Sequence, residues 1–228
     1  DHPSANELFT VMSRFFFALD MKKVVDNTSK SCHLCASLAK MPHSLIDQST
    51  SNAPEAFATQ FAADVIKRER QMILVVREYV SSYTVTMLIE SEKSECLRQA
   101  LIRSTIEHIP LDGPPAIIRV DPAPAFNALK DDPILHKYRI QLDIGRAKNA
   151  NKNPVGERAV QEVEDALRKL DQHNEPINDW TLAIATARIN TMIRTNGLSS
   201  REILIQRDQF THQHLPLSLI HISEPTRR

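Results

Sequence analysis

Three carboxylates occupy positions at which acidic side chains can bind divalent metal ions. Asp64 interrupts one apolar segment and Asp121 directly follows another, while 35 residues separate Asp121 from Glu157. Three carboxylates in a small space repel one another strongly unless cations neutralise them. Mg²⁺ prefers hard oxygen ligands, and a pair of such ions can activate a nucleophile and stabilise the leaving oxygen at phosphorus. These residues therefore indicate metal-dependent phosphodiester chemistry, with three ordinary solvated acids as the alternative interpretation.

Strand signals precede and surround the two aspartates. Runs of β-branched and apolar residues predict strands over 61–67, 71–79, 83–89, 116–120 and 140–144. Short connections predict that the first three strands form an antiparallel meander. A helix beginning near Ser91 separates the third strand from the fourth, which predicts a fourth strand parallel to its partner. If the first and fourth strands are neighbours, Asp64 and Asp121 lie side by side.

Helical patterns follow the strands. Asn153 is a good N-cap and Pro154 fits the first helical position, so Glu157 falls in the first turn, where the helix dipole favours a carboxylate. The predicted buried stripe of this helix consists of Val160, Val163, Leu167 and Leu170.

Two further helices close the predicted domain. One is predicted over 179–195 with Gly197 as a left-handed cap, and Ser199 to Glu202 is a capping box for a short last helix. The order βββαβ, then a strand and helices, predicts an α/β ribonuclease H-like fold. Such a fold is a mixed five-stranded sheet flanked by helices.

The composition excludes several classes of protein. Lysine plus arginine and aspartate plus glutamate both number 28, so the chain is no polycation. Its four glycines lie too far apart for a dinucleotide-binding or P-loop motif. Three cysteines make no disulfide framework, and apolar runs of about five residues are too short to span a membrane. We therefore expect a soluble intracellular protein.

Several motifs resemble the integrases of retroviruses and LTR retrotransposons. The stretches 63–66, 119–124 and 151–157 reproduce that family's D,D(35)E pattern in order and in context. The segments 2–4 (His-Pro-Ser) and 31–35 (Ser-Cys-His-Leu-Cys) resemble its N-terminal HHCC zinc module. The resemblance extends from His2 to about residue 217, and the retrotransposon form fits better than the viral one.

The resemblance implies a domain organisation. Residues 1–40 would form a truncated helical zinc-binding module, 41–56 a linker, 57–208 the catalytic core and 209–228 an irregular tail. The segment 218–226 resembles translated sequencing-adapter sequence, so we expect the last residues to be non-native. The absence of an initiator methionine leads us to expect a fragment or a processed product.

The resemblance also implies a reaction and its cofactors. The family trims the 3′ ends of element DNA by hydrolysis and then joins each 3′-hydroxyl to target DNA. Asp64 would contact two Mg²⁺ or Mn²⁺ ions, while Asp121 and Glu157 would each hold one. His2, Cys32 and Cys35 would bind Zn²⁺ as an incomplete set, because the family's first histidine is absent and structural zinc takes four protein ligands.

The implied partners are element-end DNA, target DNA and further copies of the chain, with no membrane. The implied location is the nucleus, reached through a cytoplasmic particle. Cationic and polar residues beside the acidic site predict contacts with DNA phosphates and sugars, with a solvated loop as the alternative. These residues are Arg146, Lys148, Asn149, Lys152 and Arg158.

Other functions stay open at this point. One alternative is a cut-and-paste DDE transposase or another nuclease of the ribonuclease H-like fold. The other is a catalytically decayed or domesticated copy that binds DNA. The intact Asp64, Asp121 and Glu157 argue against decay, whereas the incomplete zinc ligands and the unusual tail are consistent with an inactive fragment.

Overall fold

A computed structural model of the chain describes residues 3–37, 56–68, 70–145, 153–170, 176–194 and 197–215. The strands in these ranges are β1 (Gln60–Arg68), β2 (Gln71–Glu78), β3 (Thr84–Ile89), β4 (Ala116–Val120) and β5 (Ile140–Ile144). The helices are α1 (Ala5–Ser13), α2 (Met21–Lys30), α3 (His33–Ser37), α4 (Ser94–Thr105), α5 (Pro124–Asn127), α6 (Pro133–Lys137), α7 (Pro154–Leu170), α8 (Asp179–Thr191) and α9 (Ser200–Ile205).

The chain divides into two compact units. Thr50–Asn190 contains the sheet and is called the sheet unit below. Asp1–Ser49 and Thr191–Arg228 together make the second, the terminal unit, whose described helices are α1 to α3 and α9. The proposed linker 41–56 lies almost entirely outside the described residues, so the predicted domain boundaries stay predictions. No helix within the described ranges is long and apolar enough to cross a membrane.

The five strands form one mixed sheet in the order β3-β2-β1-β4-β5. β1 and β2 pair antiparallel, as do β2 and β3. β4 pairs parallel to β1, and β5 pairs parallel to β4. The predicted meander, the predicted direction of the fourth strand and the mixed five-stranded sheet are thereby confirmed.

Both faces of the sheet carry an apolar core. One core packs the sheet against α4, α5 and α6, with side chains such as Phe61, Leu74, Leu101 and Ile118. The opposite core packs it against α7 and α8. Its fully buried members include Ile73, Val75, Ala159, Val163, Leu167 and Ala185. Because side chains alternate along a strand, β1, β2 and β3 contribute to both cores, whereas the core residues of β4 and β5 belong to the first.

Two helix predictions were wrong in detail. The helix predicted over 179–195 ends at Thr191, whose carbonyl oxygen accepts a hydrogen bond from Gln209 Nε2 at 3.0 Å. In α7, Leu170 is 37% exposed, and the buried stripe includes Ala159 and Ala166 instead. Small alanines bring the helix close to the sheet, which a count of large apolar residues misses.

The predicted local signals near the C-terminus are confirmed in part. Gly197 has the predicted left-handed conformation, with a φ of 83°. It does not cap the predicted helix, because α8 ends at Thr191. Ser199 and Glu202 form the predicted capping box of α9.

Candidate active site

The two aspartates lie at the same level of neighbouring parallel strands. The pairing of β1 with β4 runs from Gln60–Ile117 to Ala62–Arg119. The same register extended by two residues places Asp64 opposite Asp121. The sequence-based prediction that the first and fourth strands bring these residues together therefore agrees with the observed register.

Both aspartates belong to the face of the sheet that α7 covers. Asp64 alternates with Ala63 and Val65 and shares its face with Ile66, which packs in the core beneath α7. Asp121 follows Val120, whose side chain lies in the opposite core, so alternation directs Asp121 toward the α7 face.

Glu157 lies in the first turn of α7 and its side chain is exposed. Helix α7 packs on β1 and β2 through Ala159 and Val163. This packing places its N-terminal turn above the part of the sheet that carries Asp64 and Asp121. Asp64 lies within electrostatic range of Glu157 as well as Asp121. The three predicted carboxylates therefore belong to one neighbourhood.

The pKa of Asp64 reflects its burial and the carboxylates near it. Burial raises the pKa of the Asp64 carboxyl to about 6 from its ordinary 3.8. The Val65 N–H, which donates to Asp64 Oδ1 at 2.7 Å, opposes that increase, and the negative charges of Asp121, Glu157 and Glu92 add to it. A cation in this neighbourhood would relieve the repulsion and favour the ionised form.

Asp121 contributes a second indication of a cation site. Its Oδ1 atom is buried and has no hydrogen-bond partner. Buried carboxylate oxygens are normally paired, since an unpaired one loses its hydration without compensation. Hard carboxylate oxygens at Asp64 and Asp121 fit Mg²⁺ or Mn²⁺ as ligands. Within the described ranges, however, no three His, Cys, Asp or Glu side chains are grouped closely enough to hold one ion, so the three-carboxylate metal site stays a prediction.

The raised pKa of Asp64 predicts a pH-dependent cost to stability. Between pH 4 and 6 the folded state binds more protons at Asp64 than the unfolded state, so the free energy of unfolding falls as the pH rises. Asp64→Asn removes this cost. In chelator, the variant should be more stable than the wild type at pH 7.5 by about 1–2 kcal/mol, a value reduced for solvent screening, and nearly equal at pH 4. Denaturant unfolding at both pH values measures the difference.

Asp131→Asn is the matched control, because Asp131 is an exposed aspartate of the same sheet unit. A substitution at this exposed position should change the free energy of unfolding by less than about 0.5 kcal/mol. An Asp64→Asn variant that gained equal stability at both pH values would show that ionisation of Asp64 carries no cost.

Two ion pairs at this site had no role in the sequence-based prediction. Glu92 adds negative charge near Asp64, and its Oε2 pairs with Lys67 Nζ at 2.7 Å. Arg119 precedes Asp121 by two residues on the same face and pairs with Asp143 of β5 at 3.5 Å. Neither pair has a sequence signature, because each depends on which strands become neighbours.

Most of the predicted DNA-binding residues, namely Arg146, Lys148, Asn149 and Lys152, lie outside the described residues. Arg158 is described: its side chain is 74% exposed, and its Nε lies 3.4 Å from Glu162 Oε1. The prediction of DNA contacts here stays a prediction.

The predicted zinc ligands are only partly described. Cys32 and Cys35 are half-buried, Cys35 within α3 and Cys32 immediately before it, and His2 lies outside the described residues. The zinc module therefore stays a prediction.

The sheet order, the strand directions and the helices on both faces define an α/β fold of the ribonuclease H-like class. The chain is similar in structure to the catalytic core domain of BIV integrase, a crystal structure, with a TM-score of 0.53 and 19% sequence identity. The similarity covers 65% of this chain and 94% of that domain. At this identity the likeness shows the fold. No protein-family model matches the chain, and no curated protein matches it.

Proposed function

We propose that the chain is an integrase-type polynucleotidyl transferase of an LTR retrotransposon. It would trim the 3′ ends of element DNA and join them to target DNA. The observation that carries this proposal is the register of β1 and β4, which runs to Ala62–Arg119 and, extended by two residues, pairs Asp64 with Asp121. Helix α7 bears Glu157, and the fold is similar to that of an integrase core. The retrotransposon origin rests on the sequence motifs.

The proposed cofactor is a pair of Mg²⁺ or Mn²⁺ ions held by Asp64, Asp121 and Glu157. When bound, such ions supply an activated nucleophile and stabilise the leaving oxygen at phosphorus. The residues of the chain contribute the rest. Asp64 of β1 and Asp121, directly after β4, would present their oxygens to the ions, and α7 would bring Glu157 to the same site.

The proposed partners are element-end DNA and target DNA, with further copies of the chain. Arg146, Lys148, Asn149, Lys152 and Arg158 would contact the DNA backbone, which every DNA sequence presents alike. His2, Cys32 and Cys35 would belong to a zinc site of the N-terminal module. The proposed site of action is the nucleus.

Strand transfer with oligonucleotides matching the element's ends tests the proposal. The wild type should join them to target DNA in Mg²⁺ or Mn²⁺ and not in chelator. Asp64→Asn and Glu157→Gln should each abolish joining, because each replaces an anionic metal ligand with a neutral amide of similar size. Glu164→Gln, an exposed change farther along α7, is the matched control and should leave joining unchanged.

The outcomes separate the alternatives. Metal-dependent cleavage without joining would favour a nuclease of the same fold. If Asp64→Asn and Glu157→Gln both joined DNA as well as the wild type, the three-carboxylate mechanism would be wrong.

A further inference from the structure

We propose that Asn153 is a positioning residue that holds Glu157 in place relative to Asp64 and Asp121. The inference rests on the proposed function and assigns a role to a residue that holds no metal ion in that proposal. Asn153 is fully buried, although asparagine is usually exposed. Its side chain joins the start of α7 to the middle of β1.

Two hydrogen bonds make this junction. Asn153 Nδ2 donates to the carbonyl oxygen of Ala63 at 2.9 Å, and Asn153 Oδ1 accepts from the Gly156 N–H at 3.2 Å. The backbone carbonyl of Asn153 also accepts from the Glu157 N–H at 2.9 Å. One residue is thereby bonded to the neighbour of Asp64 and to Glu157 itself.

The bond to Ala63 lies where β1 and β4 stop pairing. Ile117 N–H donates to Thr59 O at 2.8 Å, and the two-residue repeat of a parallel ladder makes Ala63 O the acceptor level with Asp121. The pairing of the two strands extends only to Ala62–Arg119. Asn153 therefore bonds the sheet at the level of the two aspartates, and the position of α7 is fixed from that point.

The side chain of Asn153 has little room to move. A Cβ atom added at Gly156 would lie 2.3 Å from Asn153 Nδ2 and 2.7 Å from its Cγ. The absence of a side chain at Gly156 thus lets the Asn153 amide lie against the first turn of α7. Such close packing fixes the amide in the orientation that reaches Ala63.

A helix cap alone would not require this arrangement. Serine, aspartate and asparagine cap helices about equally well through an acceptor atom. Only asparagine among these has an amide donor for Ala63 O. Asn153→Ser keeps the cap and removes the donor, whereas Asn153→Ala removes both, so the two variants separate capping from positioning.

The test measures Mn²⁺ binding by electron paramagnetic resonance without DNA, strand-transfer kinetics and the thermal midpoint for each variant. Both Asn153→Ser and Asn153→Ala should weaken Mn²⁺ binding about tenfold and lower kcat about tenfold, with KM for DNA nearly unchanged, as is typical when the support of a metal ligand is lost. Asn153→Ser should lose less thermal stability than Asn153→Ala.

Asn190→Ser is the matched control. Asn190 is also buried, and it joins α8 to β3 through two bonds with the Thr84 backbone, of 2.8 and 2.7 Å. The Asn190→Ser variant should have a lower thermal midpoint and the same Mn²⁺ affinity as the wild type. If both Asn153 variants bound Mn²⁺ and joined DNA as the wild type does, the positioning role would be refuted while the proposed function stood. If the wild type bound no more Mn²⁺ than Asp64→Asn and joined no DNA, the positioning role and the proposed function would both be refuted.

Discussion

Replacing Arg14 with alanine is expected to destabilise the terminal unit by about 3–5 kcal/mol, because it leaves a buried carboxylate without its cation. Glu202 of α9 is fully buried. Arg14 Nη1 lies 2.8 Å from Glu202 Oε1 and 3.3 Å from Asp208 Oδ2. A buried anion that loses its counter-ion is costly, because its desolvation is no longer offset by the ion pair.

Other bonds to Glu202 keep it in place. The N–H groups of Ser199 and Gln209 donate to its two oxygens at 2.7 and 3.2 Å. Arg14 also donates to the Gly197 carbonyl oxygen and stacks over the Phe210 ring at 5.6 Å. Arg14→Ala therefore removes several contacts between α1 and residues 197–210 at once.

Hydrogen exchange of amides in α1 and α9 measures this loss locally, and thermal unfolding measures it for the chain. Arg201→Ala is the matched control, because Arg201 is an exposed arginine next to Glu202 and should cost less than about 0.5 kcal/mol. Glu202→Gln added to Arg14→Ala should restore part of the stability, since glutamine keeps the capping box without the charge. Equal protection in Arg14→Ala and Arg201→Ala would contradict the expectation.

The strands and the proximity of the two aspartates could be predicted from the sequence. Runs such as 72–76 (Met-Ile-Leu-Val-Val) are apolar and rich in β-branched residues, which favour a buried strand. The helix before β4 makes the connection a crossover, which favours a parallel β4. Local chemistry and chain connectivity together place Asp64 beside Asp121. The short helices α5 and α6 were not predicted, because four or five residues give no periodic pattern.

The burial of certain polar residues could not be predicted from the sequence, for a different reason. Arg77, Asn153 and Glu202 are polar, and polar residues are usually exposed. Their partners lie far away along the chain: Glu162 is 85 residues from Arg77, and Ala63 is 90 residues from Asn153. Only the folded arrangement shows which polar groups are paired. Asn153 was predicted as a helix cap, but nothing in the sequence indicates that its amide also contacts β1.

Glu162→Ala is expected to cost the sheet unit about 3 kcal/mol, because it removes a carboxylate that pairs with the buried Arg77 guanidinium. The Arg77 side chain is 2% exposed, and its Nη2 lies 2.6 Å from Glu162 Oε2. Its Nε donates to Thr84 Oγ1 at 2.9 Å, and Glu162 of α7 provides a negative charge beside the other end of the guanidinium. The change should also loosen α7, the helix that carries Glu157, and lower joining activity.

Chemical denaturation measures the cost, and Glu164→Ala is the matched control. Glu164 pairs with Arg168 on the same helix, but both side chains are more than a third exposed, so this variant should lose less than 1 kcal/mol. Combining Arg77→Met with Glu162→Leu should recover most of the stability, because apolar residues of similar volume avoid the desolvation of both charges. If Glu162→Ala lost no more stability than Glu164→Ala, the Arg77–Glu162 pair would not help to hold α7 on the sheet. The placement of Glu157 would then depend on the apolar contacts of α7 and on Asn153.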